Sequence, residues 1–185
     1  GAVVSASDVR PAAKENVESL GASFVAVQDE EFKQAETAGG YAKEMSDAYK
    51  AKQSELIAST VAKQDIVICT ALIPGRPAPV LVTEDMIKTM KPGSVLVDLA
   101  VEQGGNCPLS VADKTIVKNG VSIVGQTNMA SKLPIDASIL FAKNLLNFLT
   151  PMINRDQKQI IIDIDDEIIK GSLLTQNGEV LQTFM

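Results

Sequence analysis

TALIPGRPAPVLVTEDMIKTMKPGSVLVDLAVEQGGNC, residues 70–107, reads as the end of one buried strand, a Pro/Gly loop, a short helix, a second buried strand and a Gly-Gly loop. The strand bodies are DIVICT (65–70) and SVLVDLA (94–100), near-continuous runs of β-branched and apolar residues. Such runs predict strands covered on both faces, as in a parallel sheet. Each ends in a loop at the carboxyl edge of that sheet, where open α/β folds bind their ligands. Between them Thr83 predicts a helix cap, Glu84 and Asp85 complement the dipole, and Pro92-Gly93 stops the helix.

Upstream, residues 2–7 (AVVSAS) predict a short strand ending at Asp8. Pro11 opens a helix to about Leu20, because proline is tolerated in a first turn. Gly21 ends it and SFVAV (23–27) is the next strand, giving a βαβ unit with the right-handed crossover expected of that motif. Residues 28–42, acidic and then glycine-bearing, predict a mobile surface loop, and a helix follows over 42–63. Downstream, 115–118 and 121–125 predict a hairpin or edge strand that closes the sheet, with a further loop at the ligand edge around Asn128. Asp136 or Ser138 is expected to cap a helix running to Leu149, with a broad apolar stripe that includes Ile139, Leu140 and Leu146. The tail, with QIIIDI at 159–164, 168–174 and the turn Gln176-Asn177-Gly178, predicts strands or a hairpin.

The 185 residues suffice for one domain with a sizeable core, or one domain plus an appendage. A net charge of −6 without a Lys/Arg cluster argues against a nucleic-acid partner. The two cysteines fit a reducing compartment, with Cys69 read as a small core residue. With no His and no CxxC, no metal site is expected. No run reaches the roughly 20 apolar residues needed to cross a bilayer. The first residue is Gly rather than Met, which suggests a cut or processed start.

A dinucleotide fold opens with a strand, a Gly-x-Gly-x-x-Gly turn and a helix whose N-terminus holds the pyrophosphate. The sequence contains no GxGxxG and starts at what reads as the second strand. The expected fold is therefore a Rossmann-like α/β domain with a parallel sheet, lacking its N-terminal strand and Gly-rich turn. Either the sequence is a fragment or a companion chain supplies that half. The missing strand would leave unpaired backbone and exposed apolar surface.

ALIPGRPAP (71–79) and MKPGSVLVDLAVEQGGNC (90–107) closely resemble the NAD(H)-binding component of proton-translocating nicotinamide nucleotide transhydrogenase. Alanine dehydrogenase, a relative built on the same domain, is a more distant match. The likeness continues through SDVRP (7–11), AETAGGYAKEM (35–45) and FAKNLLNFLTP (141–151), and so covers nearly the whole chain. It implies a nucleotide-binding domain over residues 1–134, and a linking helix and C-terminal segment over 135–185 that returns towards a second domain.

Asp8 stands where dinucleotide folds place a carboxylate on the adenosine ribose, a position that favours NAD(H); it is equally good helix-capping chemistry. The resemblance turns the reading towards ribose binding and sets Val9 and Arg10 beside the adenine. It likewise assigns Gly40 and Tyr41 to a loop that closes over nucleotide, where the residues alone suggest an ordinary glycine turn. Gln53 falls at a nucleotide-contacting position of the family, and Leu72 offers an apolar ledge to adenine or ribose. Glu102, Gly104, Gly105, Asn106 and Asn128 are expected near the nicotinamide, whereas Asp98, Asp113, Asp163, Asp165 and Asp166 read as solvated or capping residues.

No residue is assigned a catalytic role. Direct hydride transfer from NADH to NADP⁺ needs positioning and exclusion of water rather than an acid or base. An alcohol or amino-acid dehydrogenase usually needs such a group. Glu102 also departs from the Asp typical of alanine dehydrogenases in this loop. The resemblance implies NADP(H) on a partner component, a separate membrane component that couples transfer to proton movement, and a homodimer. It implies a peripheral position on the cytoplasmic side of the bacterial inner membrane. The alternatives are an alanine dehydrogenase and a non-catalytic nucleotide-binding or assembly subunit completed by a partner.

Overall fold

The computed structural model describes residues 1–35, 43, 45–73 and 75–182, which form two units, Gly1–Thr127 and Asn128–Met185.

The first unit begins with β1 (Ser5–Ala6), α1 (Ala12–Ser19) and β2 (Ser23–Phe24). The two strands are parallel, Ser5 opposite Ser23 and Ala6 opposite Phe24, as the βαβ reading predicts. Pro11 takes the cap position of α1 with a helical φ of −56°, and Gly21, at φ +82°, turns the chain out of it. The ladder is shorter than the apolar run 2–7. Val3 and Val4 are exposed, and β1 has β2 as its only ladder partner among the described residues.

Residues 28–35 depart from the expected loop. They form α2 (Glu30–Lys33), because Asp29 Oδ1 accepts from the backbone N–H of Phe32 at 3.1 Å and so caps a helical turn. Phe32 and Ala35 are buried with Met45 and Tyr49 in a small core beneath β2. The next helix, α3 (Asp47–Val61), starts later than expected, at the Ser46 cap, whose hydroxyl accepts from Tyr49 N–H and donates to Glu31 Oε2 at 2.7 Å. Lys43 N–H donates to Ala35 O at 2.8 Å, so the two ends of the 36–42 segment lie together.

The main sheet contains β3 (Ile66–Cys69), β4 (Val95–Asp98), β5 (Lys114–Lys118) and β6 (Val121–Gly125), in the order β3-β4-β6-β5. The first three are parallel, and β5 returns antiparallel to β6 through Asn119 and Gly120, both at positive φ. That pair suits the tight hairpin turn that requires left-handed backbone at both central residues. Between β3 and β4, α4 (Glu84–Thr89) is capped by the Thr83 hydroxyl, as predicted.

Register puts Val67, Leu96 and Ile123 side by side on one face, with Cys69 opposite Asp98. Against this face pack Val61 of α3 and Met86 and Ile87 of α4. Leu96, Ile87 and Ile123 are fully buried, each stabilising the fold by roughly 1.5–3 kcal/mol. The opposite face differs from expectation. Ile66 and Ile68 are 64% and 62% exposed, because within this unit the helices cover one face only. The gap expected of a missing strand is present: β1-β2 and β3-β4-β6-β5 are separate sheets, and among the described residues β3 ladders with β4 alone. The far edge, β5, carries Lys114 and Lys118.

The second unit opens with α5 (Pro134–Leu149). Neither Asp136 nor Ser138 caps it. Pro134 occupies the first turn behind Leu133, and Asp136 lies inside the helix, where it complements the dipole. Ile139, Leu140, Phe141 and Leu146 are all more than half exposed and no residue of α5 is buried. The predicted strand over 159–164 is reduced to β8 (Gln159–Ile160), paired with β7 (Ile153–Asn154). Residues 168–174 are not strand. Asp166 Oδ1 accepts from Ile168 and Ile169 N–H at 2.9 and 3.0 Å and starts α6 (Glu167–Ser172) instead. The predicted Asn177-Gly178 turn joins β9 (Thr175–Gln176) to β10 (Glu179–Val180). No helix among the described residues is long and apolar enough to cross a membrane.

Burial, then the nearby Asp98 charge, pushes the Cys69 thiol up to about 12, and burial also raises that of Cys107. The neutral Cys69 thiol therefore adds stability that is fully present below about pH 8.5 and is lost as pH rises towards 12. Alkylation by iodoacetamide at pH 8, followed by peptide mass, should leave both cysteines unmodified in the folded chain and label both in urea.

Candidate functional site

β1 delivers Asp8 at its carboxyl end. Asp8 Oδ1 accepts from the Arg10 backbone N–H at 2.8 Å and from Nε at 3.0 Å, and Oδ2 accepts from Nη2 at 2.7 Å. The carboxylate thus caps the turn ahead of α1 rather than α1 itself, which has no side-chain cap. Partial burial pushes the Asp8 carboxyl up. The hydrogen bonds and charge of Arg10 outweigh this and hold it below the ordinary aspartate value. It stays charged through the neutral range, and the stability contributed by the Arg10 contacts is lost only as pH falls below about 4. A carboxylate offers about four acceptor sites, and Arg10 takes three of them here.

Gln53 ties this corner together. Its Oε1 accepts from Val27 N–H at 2.9 Å, just past β2, and its Nε2 donates to Ser7 Oγ at 3.2 Å, next to Asp8. The Tyr49 hydroxyl, one turn earlier on α3, donates to Val27 O at 3.1 Å. From these contacts α3 runs to Val61 in the main core, and β3 starts just beyond. The carboxyl ends of β1, β2 and β3 therefore lie towards one edge.

Two loops meet beyond β3 and β4. Leu72 follows β3 and is 55% exposed, and Gly75, at φ +70°, turns the chain back between Ile73 and Arg76, as the sequence predicts. Asn106, in the loop after β4, has no exposed surface. Its Nδ2 donates to Ala71 O at 2.9 Å and Pro79 O at 2.7 Å, and its Oδ1 accepts from Ala71 N–H at 3.0 Å. Its backbone oxygen takes the N–H groups of Leu81 and Val82, and Ala78 N–H donates to Gln103 O at 2.7 Å. Asp98, at the end of β4, is also fully buried; Oδ1 accepts from Ala100 N–H at 3.0 Å and Oδ2 from Cys107 N–H at 3.1 Å. Gly105 is required here: its φ is +83°, and a Cβ would stand 2.8 Å from Asp98 Oδ2.

Sequence reasoning thus missed two supports. Asp98 is not solvated, and Asn106 spends its side chain on the two loops. The signal for Asp98 was its place two residues after Leu96 in a half-covered strand, which puts both on the core face. Asp8, Val9, Arg10 and Gln53 are brought together at one corner, and Leu72 stands on the loop after β3. Asp113 Oδ1 accepts from Gln126 Nε2 and from the Thr127 N–H and hydroxyl, fastening the end of β6. Asn128, at φ +45°, opens the second unit. Gly40 and Tyr41 lie outside the described residues. No cluster among the described residues could hold a metal ion.

A parallel sheet with a separate βαβ pair, and loops converging on the carboxyl edge, define an α/β domain of the dinucleotide-binding class. The match is specific: the chain belongs to the family "Alanine dehydrogenase/PNT, C-terminal domain", which matches residues 1–183. It is 58% identical over 181 residues to an NAD(P) transhydrogenase subunit alpha of Rhodospirillum rubrum, covering 98% of this chain and 47% of that protein. The crystal structure of a transhydrogenase from Sinorhizobium meliloti is 50% identical with a TM-score of 0.73, over 98% of this chain and 46% of that one. A solved L-alanine dehydrogenase, 24% identical over 98% of this chain and 44% of its own, shares the fold with a TM-score of 0.65. The resemblance read from the sequence is borne out. The chain spans about half the length of these relatives.

Asn106→Ala removes three side-chain hydrogen bonds and strands the buried groups of Ala71 and Pro79. It should lower the unfolding free energy by about 3 kcal/mol in urea titration, whereas substitution at exposed Glu84 should change it by less than about 0.5 kcal/mol.

Proposed function

We propose that this chain is the NAD(H)-binding part of a proton-translocating NAD(P)⁺ transhydrogenase. The observation that carries the reading is the oriented Asp8 carboxylate at the carboxyl end of β1, on the same edge as Leu72 and the Asn106-held loops. The 58% identity to a transhydrogenase subunit alpha supports it.

The residues present fit the adenosine half of a dinucleotide. Asp8 retains acceptor capacity for ribose hydroxyls, and both hydroxyls can be taken as Arg10 yields. Val9 and Leu72 offer exposed apolar surface for the adenine, and Gln53 fixes the strand ends beneath it. Gly40 and Tyr41 complete the binding set on the strength of the GGYAKEM motif. When bound, NADH supplies the hydride from its C4. No residue of this chain is asked to move a proton; its role is to hold the nucleotide and to set the loops beyond β3 and β4.

In this reading residues 1–134 form the nucleotide-binding domain and 135–185 lead to a second domain. An upstream half or companion chain supplies the strand and Gly-rich turn beside β3. NADP(H) sits on a separate component, and a membrane component couples the transfer to proton movement. The subunit works as a dimer, peripheral to the cytoplasmic face of a bacterial inner membrane.

The test uses the complete subunit with its NADP-binding component and NADH deuterated at C4. Deuterium should appear at C4 of NADPH without loss to solvent, and this chain alone should exchange none. Deuterium lost to water, or alanine-dependent reduction of NAD⁺, would overturn the reading.

A further inference from the structure

The corner at the end of β1 holds an acid and a base that dinucleotide folds use for opposite purposes. A carboxylate there accepts ribose hydroxyls and repels a 2′-phosphate, whereas an arginine nearby accommodates that phosphate. In this chain both are present, two residues apart and in contact. The guanidinium fork of Arg10 lies on both oxygens of Asp8, at 3.0 and 2.7 Å. We infer that the pair sets which dinucleotide the edge accepts: Asp8 takes an unphosphorylated ribose, and Arg10 is a 2′-phosphate anchor that Asp8 keeps engaged. This inference rests on the placing of adenosine ribose at Asp8 proposed above.

The chemistry supports each half. The fork that reaches two carboxylate oxygens has the geometry that reaches two phosphate oxygens. A ribose phosphate carries up to about two negative charges. With Asp8 in place, such a group meets a carboxylate and an arginine whose charge is already compensated. Without Asp8, it meets a cation on a turn that stays short and fixed by Pro11. The next cation along, Lys14, is turned to Gln28 Oε1 at 2.6 Å, which leaves Arg10 as the fork at this position. The Arg10 side chain is 48% exposed, so its attraction is screened and should weaken with salt.

The experiment titrates NADH and NADPH by nicotinamide fluorescence into the complete subunit, as wild type, Asp8→Ser and Asp8→Ser/Arg10→Gln. Circular dichroism checks folding, and the nearly isosteric Asp8→Asn stands in should Asp8→Ser fail to fold. Wild type should bind NADH at least about a hundredfold more tightly than NADPH. Asp8→Ser should tighten NADPH by about tenfold or more while weakening NADH, and the gain should shrink as salt rises. Adding Arg10→Gln should abolish the gain. An Asp8 variant that gains no NADPH affinity, or gains equally without Arg10, overturns the inference while the NADH site stands. A wild type that binds no NADH overturns the site reading beneath it.

Discussion

The carboxamide of Asn106 fixes the spacing of the two loops that shape the ligand edge. A buried amide costs several kcal/mol unless its groups are paired, and here both donor hydrogens and the oxygen have backbone partners in the loop after β3. Asp98 does the same for the loop after β4, receiving the N–H groups at both of its ends. Neither side chain can serve a ligand while making these bonds. Together they let glycine-rich backbone approach the sheet edge without collapsing onto it.

On the other side of the unpaired gap, the Asp8 corner is held through α3. Gln53 and Tyr49 reach Ser7 and Val27, and the far end of the same helix is buried in the main core. One helix thus carries positional information between two sheets that share no ladder within this chain. The arrangement explains how a binding corner keeps its geometry beside strands of only two residues.

Much of this was legible in the sequence, because the determinants are local. Thr83 before an acidic pair, Pro11 and Gly21 around a short helix, and Asn-Gly turns at 119–120 and 177–178 each act within a few residues. The Asp8 turn belongs to the same class. What failed depended on partners distant in sequence or on competing caps. Asp29 and Asp166 start helices where composition suggested loop and strand. Asp98 and Asn106 look like surface residues until register and loop packing bury them. The exposed faces of β3 and α5 could not be read from apolar runs, since such runs record what a strand or helix can bury and not whether its cover is present.

The two sides of the main sheet are unlike. β5 ends it with an antiparallel strand bearing Lys114 and Lys118, charges that discourage edge-to-edge pairing. β3 carries Ile66 and Ile68 and no charge between Ile66 and Cys69. The sheet is therefore polarised for growth: closed to addition beside β5, and receptive beside β3 to one more strand laid parallel to it.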